Sequence, residues 1–333
     1  MSGVLQILLL LKTRKVEKIM IDVVAIGELL IDFTPSGTGE MGNPCFEMNP
    51  GGGPPNCLAA VNALGSKTAF IGKVGRDGFG DFLISSLSGA GIGTDGILQT
   101  DETHTTLAFV HLAPNGERSF SFLRNPGADL LIAKEEVKLS LIDQAKVLHF
   151  SGLALTSNPS RDAALFAVEY AKSKGKLISY DPNYRPLLWK NREEAVDWMK
   201  KGLALADIAK LSEEELELIT GRDDIPKGAR MIWDQGIQNV FITLGSKGAY
   251  YIVSECDQGY VPPFSVRAVD TTGCGDAFLG AVLYQRAKGT ELPMAEQVRF
   301  ANATAALCAT KKGGVPAMPS LKSVEAMLRG QED

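Results

Sequence analysis

The sequence predicts an α/β fold in which a mostly parallel sheet is covered by helices on both faces and carries a small strand-built flap. Short apolar runs alternate with longer segments of helical periodicity, the pattern of strands buried under crossover helices. Several helical segments close on glycine, the usual end signal. One stretch breaks the alternation with two strand-like runs in succession, which points to the flap. At 333 residues and 45% hydrophobic, the chain can bury a large core as one large domain with an appendage.

The first element is an apolar run, Val4 to Leu11, followed by Lys12, Arg14 and Lys15. It is too short to span a bilayer. It also lacks the leading positive charge and small-residue cleavage site of a signal peptide. Residues 1–20 are therefore read as an extension outside the fold, with Met20 a candidate start, and residues 21–330 as the folded domain. Strand-like runs follow at Val23 to Ile26, Ala69 to Ile71, Val147 to Phe150, Leu177 to Ser179 and Val240 to Leu244. Helical patterns cover Asn56 to Leu64, Phe79 to Ala90, Arg161 to Lys174, Glu193 to Leu205, Glu213 to Ile219, Asp276 to Lys288 and Met294 to Thr310. Ligands of such sheets bind beyond the carboxyl ends of the strands, where Gly27, Gly72, Asp181 and Gly245 are expected. The flap is read from Thr105 to Leu112 and Ser119 to Leu123, joined by Pro114 to Glu117. The Gly- and Pro-rich stretch Pro35 to Pro50 supplies either further extended pieces or plain loop, so the flap is drawn from roughly 32–50 and 100–125.

Composition narrows the function. A net charge of −5 without a basic cluster argues against nucleic acid or an anionic membrane as the main partner. Cys45, Cys57, Cys256, Cys274 and Cys308 are odd in number and form no CxxC pair, so neither a disulfide framework nor a zinc site is indicated, and the natural reading is cytoplasmic. His104, His111 and His149 are too scattered for a metal site.

The chemistry concentrates in VDTTGCGDAF at Val269 to Phe278. Gly273 and Gly275 free the backbone to aim successive amides at one point, and a helix start adds partial positive charge, so the turn suits an anion. Asp276 at its rim could take the proton of a hydroxyl attacking a phosphoryl group, or could merely cap the helix. A second glycine turn, GGGPPN at Gly51 to Asn56, brings backbone close to a polar ligand; Asn56 is equally a helix cap or a hydroxyl ligand. The third group, Gly72 to Gly80, reads GxxGxDGxG and so does not match the dinucleotide fingerprint GxGxxG, which disfavours a nicotinamide oxidoreductase.

Four motifs in order, GGGPPN at Gly51, GKVGRDGFG at Gly72, TLGSKG at Thr243 and DTTGCGD at Asp270, resemble the ribokinase or PfkB carbohydrate kinase family, and the match runs from about Asp22 to Pro319. Within it, GELLIDF at Gly27, FLRNPGADLL at Phe122, SYDPNYRPLLW at Ser179 and KLSEEE at Lys210 are similar to fructokinase segments. The resemblance implies a ribokinase-like three-layer α/β/α fold with a β lid. It implies Asp276 as catalytic base, with Gly273, Cys274 and Gly275 as the anion hole. Sugar would meet Asp32, Gly51, Gly52, Asn56 and Arg124. ATP would meet Lys210, Ser212, Thr243, Gly245, Gly248, Gly275 and Asn302. Mg2+ is expected through water on Glu215, where Ser212 replaces the asparagine of the family's NxxE motif; Glu213 and Glu214 are read as a solvated first turn. Asp270, Thr272, Cys308, Lys311, Gly313 and Ala317 align with positions that ring a monovalent cation such as K+ in some members.

Two positions depart from the family pattern: Cys274 stands where alanine is usual, and Gly53 to Pro55 replaces the commoner GGAPAN wording, with no lysine to favour ribose. The expected activity is direct in-line transfer of the ATP γ-phosphate to the primary hydroxyl of fructose. Open alternatives are a 2-keto-3-deoxygluconate kinase, another sugar or nucleoside kinase, and a catalytically inactive sugar- or nucleotide-binding regulatory protein. A homodimer through the lid is also expected.

Overall fold

The structure is a computed structural model and describes residues 20–112 and 118–331; residues 1–19 of the extension and the predicted connection Pro114 to Glu117 lie outside the described residues. The chain begins with β1 (Ile21–Ile26), β2 (Leu30–Thr38), β3 (Pro44–Gly51), α1 (Gly53–Ala63), β4 (Thr68–Gly75), α2 (Gly78–Gly89) and β5 (Gly93–Thr100). It continues through β6 (Leu107–Leu112), β7 (Arg118–Leu123), α3 (Leu139–Gln144), β8 (Ala145–Ser151), α4 (Ser160–Ser173), β9 (Leu177–Asp181), α5 (Arg192–Leu203), β10 (Ile208–Ser212), α6 (Glu213–Thr220) and α7 (Ile225–Trp233). It ends with β11 (Asn239–Thr243), β12 (Ala249–Ile252), β13 (Gln258–Val261), α8 (Cys274–Lys288), α9 (Met294–Ala309) and α10 (Leu321–Leu328).

Two sheets organise these elements among the described residues. The large one runs β13-β12-β11-β10-β9-β8-β1-β4-β5, parallel throughout except at the β11–β12 and β12–β13 pairs. Every residue of β1 is buried. Its side chains divide by the two-residue strand period: Val24 and Ile26 pack into a core shared with α4 and α5, Val23 and Ala25 into one shared with α1, α8 and α9. Two cores on opposite faces of one sheet make the three layers, and explain why β1 reads as a continuous apolar run rather than an alternating one.

The small sheet, β3-β2-β6-β7, contains both Pro35 to Pro50 and the predicted pair of flap strands. Alternation again assigns its faces. Leu30, Asp32 and Thr34 of β2, Val110 of β6, and Phe120 and Phe122 of β7 face a cleft toward the large sheet, while Ile31 and Phe33 turn back onto the core. Phe33 stacks on Phe109 at 4.7 Å and meets Phe79 of α2 edge-on at 5.9 Å, anchoring the lid base.

Several details differ from the sequence expectations. β4 runs on to Gly75, so Gly72 is interior to a strand and not at its carboxyl end. β10 was not singled out because Lys210 interrupts its apolar pattern; the lysine is tolerated inside because Asp181 of β9 pairs with it. α8 opens at Cys274, two residues before the predicted start, with Gly273 as its N-cap in the left-handed region at φ 78°, a conformation that glycine adopts without a Cβ penalty. Among the described residues no helix is long and apolar enough to cross a membrane.

Candidate active site

A cleft of about 660 Å³ opens between the lid and the carboxyl ends of β1, β9 and β10, closed at one side by the start of α8. Its lining includes Asp32, Gly52, Asn56, Lys210, Ser212, Glu215, Asp270, Thr272, Gly273, Gly275 and Asp276. These residues come from both ends of the sequence.

At the α8 start, Asp276 is the third helical residue and makes no N-cap bond, so the capping alternative fails. Its Oδ2 instead accepts the Asn56 amide at 2.9 Å. Asn56 is no cap either: α1 starts at Gly53 behind the N-cap Gly52, and Asn56 lies inside the helix. The Asn56 Oδ1 is buried without a hydrogen-bond partner among the described residues. Burial raises the Asp276 carboxyl, helped by the charge of Asp181 and opposed by Lys210, Asn56 and Arg185, to a pKa of about 7. The first-turn amides of Gly275 and Asp276 have no partner within the helix and carry its positive end. Cys274 N–H turns back to Thr271 O at 3.3 Å.

Lys210 supplies full charge beside those amides. Its Nζ lies 2.7 Å from Asp181 Oδ2, both side chains buried, and only 3.2 Å from where a Cβ on residue 275 would stand, so glycine there leaves the ammonium open to the turn. Burial pulls the Lys210 ammonium down, and Asp181, Glu215 and Asp276 more than reverse it, holding it above the ordinary lysine range. The cation therefore stays protonated at any working pH.

On the lid side, Asp32 is raised to about 7 by burial, with Asp270 and Glu28 adding to the shift and Arg185 opposing it. The last residue of β3 makes room for it: a Cβ on Gly51 would lie 2.1 Å from Asp32 Oδ2. Beneath them Glu28, 1% exposed, accepts Gly53 N–H at 2.9 Å and the Ser151 hydroxyl at 2.6 Å, which pins the GGGPPN turn to the end of β8; burial raises its carboxyl.

The arrangement of a poised carboxylate, an amide turn and a fixed cation facing an acid-lined lid is suited to moving a phosphoryl group onto a hydroxyl. Residues 20–321 match the family described as pfkB family carbohydrate kinase. The chain belongs to the PfkB family of carbohydrate kinases. This kinase is 41% identical over 316 residues to probable fructokinase-4 of Arabidopsis thaliana, covering 92% of this chain and 97% of that one. It resembles a crystal structure of fructokinase with bound ATP from Xylella fastidiosa, with a TM-score of 0.85, 33% identity, and 93% and 99% of the two chains covered. A fructokinase from Vibrio cholerae O395 in a fructose, ADP and calcium ion bound form aligns with a TM-score of 0.84 and 32% identity over 92% and 99% of the chains. The ribokinase-like fold follows from these matches.

Not every residue named from the kinase's sequence reaches the cleft. Arg124 is 7% exposed, and its guanidinium donates to Asp129 at 2.6 and 2.9 Å, Leu153 O at 3.0 Å and the Thr156 hydroxyl at 3.2 Å. A buried guanidinium needs such partners, and Asp129 supplies the countercharge. Exposed Arg185 lines the cleft together with Lys210 and Lys312, and its charge reaches both Asp32 and Asp276. Asn302 donates its amide to Val261 O and Pro262 O, tying α9 to the end of β13. Thr243, Gly245 and Gly248 sit outside the cleft lining at the end of β11, where Thr243 stands in register beside Ser212.

The metal expectations meet different surroundings. The two oxygens of Glu215, which lines the cleft, accept Tyr184 N–H and Ser212 N–H, each at 2.7 Å; the remaining lone pairs fit the water shell of a hydrated Mg2+ better than direct coordination. Asp270 gathers the proposed monovalent-cation loops by accepting from Thr272 N–H and hydroxyl and from Gly313 N–H at 3.0 Å. Cys308 Sγ lies 3.8 Å from Thr272 O, while Ala317 is buried and Lys311 exposed, so a contribution from these three through backbone carbonyls fits a hard monovalent ion.

Glu28, Asn183 and Arg185 were given no role from sequence, and Asp181 was placed at a ligand-binding strand end without a partner. Their signals were polar residues at or just past strand ends: Glu28 two positions after β1, Asp181 as the last residue of β9, and Asn183 and Arg185 two and four positions after it. Asn183 is the one non-glycine residue with positive φ among those described, at 43°, on the cleft wall.

Proposed function

We propose that the chain is an ATP-dependent fructokinase, transferring the γ-phosphate of ATP to the primary hydroxyl of fructose to give ADP and fructose 6-phosphate. The observation that carries this is Asp276: a carboxylate with a pKa near 7, tethered by Asn56 and set beside an amide turn and Lys210.

Asp32 and Asn56 hold hydroxyls of the sugar so that one points at Asp276. Asp276 takes that hydroxyl's proton as the oxygen attacks phosphorus, and the bond from phosphorus to the ADP oxygen breaks in line. The Gly275 and Asp276 amides and the Lys210 ammonium hold the charge of the transferring group. No residue is needed as a nucleophile. Glu215 would hold the water shell of a Mg2+ ion, which would neutralise nucleotide charge, and the Asp270 and Gly313 loops would offer backbone carbonyls to a K+ ion, which would add positive charge. The lid, with Val110, Phe120 and Phe122 facing the cleft, excludes water that would otherwise accept the phosphoryl group. Adenine lies toward the β11 turn at Gly245 and Gly248.

The reading extends to a cytoplasmic homodimer, supported by five unpaired cysteines and by Phe46 and Leu123, 38% and 46% exposed on the lid. Light scattering that returns one chain's mass at micromolar concentration removes the dimer.

A coupled ADP-release assay over ketoses, aldoses and sugar acids tests the substrate. Fructose should rank first by kcat/KM; a sugar acid ranking well above it would replace the reading, and ATP turnover indifferent to every sugar would remove it.

A further inference from the structure

We propose that Cys274 and Cys308 form a reversible disulfide under peroxide, a modification site that disables the anion-binding turn. Its effect on turnover rests on the kinase reading above, whereas the bond itself can be detected without any activity.

The two thiols come from different helices. Cys274 is the first residue of α8, yet its side chain is absent from the cleft lining that includes its neighbours Gly273, Gly275 and Asp276. It packs instead behind the turn, against a small cluster made by Ala60, Ala277, Ala317 and the fully buried Cys308 near the end of α9. There Cys308 Sγ is 3.8 Å from Thr272 O, the carbonyl two residues before Cys274. Closing the two sulfurs of this cluster to a bond of about 2.05 Å meets little bulk, because three of the cluster's residues are alanines.

Cys274 is half-buried, so peroxide enters from its side, whereas Cys308 is sealed and acts second. Hydrogen peroxide oxidises the Cys274 thiol to a sulfenic acid and leaves as water. The Cys308 sulfur then displaces the hydroxyl, giving the S–S bond and a second water, so that two electrons pass from the thiol pair to one peroxide. A dithiol reductant returns both thiols by exchange. Reversible bonds of this kind are the usual form that disulfides take in a reducing compartment. The bond draws residue 274 toward α9 and carries the Gly273 and Gly275 backbone with it, removing aligned amides from the transferring group. Loss of one such donor costs about 10²-fold or more in turnover. The acceptor side, built on the lid, is left in place.

The test uses the full chain with Cys45→Ser and Cys256→Ser, reduced and then exposed to hydrogen peroxide. Digestion without reductant should yield a peptide pair joined through Cys274 and Cys308. Turnover should fall about 10²-fold and return with dithiothreitol, Cys308→Ser should give no joined pair, and Cys274→Ala should keep its own untreated rate under peroxide. Oxidation of Cys274 without the joined pair overturns the proposal, as does a joined pair with undiminished turnover, or equal peroxide loss in Cys274→Ala. Should no sugar be phosphorylated by the reduced enzyme, the kinase reading fails, and the joined pair still decides whether the bond forms.

Discussion

Asp276 combines three properties that no single stretch of sequence confers: reach to the cleft, a hydrogen bond from a residue early in the chain, and a carboxyl raised to about 7. Replacing it by Asn should lower kcat by about 10²- to 10⁴-fold while leaving nucleotide affinity, measured by calorimetry, near that of the parent. Because the base must be ionised, kcat/KM should fall as pH drops through about 7, and a profile flat from pH 8 to pH 6 counts against the assignment. The same shift predicts stability with the opposite sense. A carboxyl raised from 3.8 to about 7 favours the folded state fully below pH 4, and that contribution is lost as pH rises through 7. Asp276→Asn should therefore melt higher than the parent at pH 8, with the margin shrinking toward pH 4. Asp276 was legible because its glycines stand beside it in sequence. Glu28 was not, and Asp181 was placed at a strand end without its partner, since Gly53, Ser151 and Lys210 reach them only after the sheet has formed.

At the level of elements, the site depends on two turns entering helices, one before α1 and one before α8, facing each other through Asn56 and Asp276. Glycine marks both in the sequence, but for different reasons in the structure. Gly273 supplies a left-handed backbone, whereas Gly51 supplies empty space for Asp32. Gly51→Ala, whose Cβ would stand 2.1 Å from the Asp32 carboxylate, should raise the sugar KM about tenfold or more and leave the ATP KM near its parent value. Equal rises in both constants would place the defect in the helix start rather than in sugar binding. The two helices were also read too short at their starts, because cap chemistry that uses backbone and glycine leaves no side-chain signature.

Across the whole molecule, a lid inserted between the β1 and β8 segments of the chain must be held to the large sheet, and the buried Arg124–Asp129 pair does this where β7 returns to the body. Their side chains are 3% and 1% exposed, so removing one partner strands the other. Asp129→Ala should cost about 3–5 kcal/mol in denaturant unfolding, far more than Asp101→Ala at the exposed Arg76–Asp101 pair. The sequence by itself determined the layered α/β class, the strand-built lid and the glycine turn that opens α8, because each is written in local periodicity or in adjacent glycines and acids. Only the tertiary structure decided which charged residues serve the cleft: it withdrew Arg124 into an ion pair, brought Arg185 forward, and set Cys308 against Cys274. Solvation of a charge depends on what the rest of the chain packs around it, and no local pattern records that.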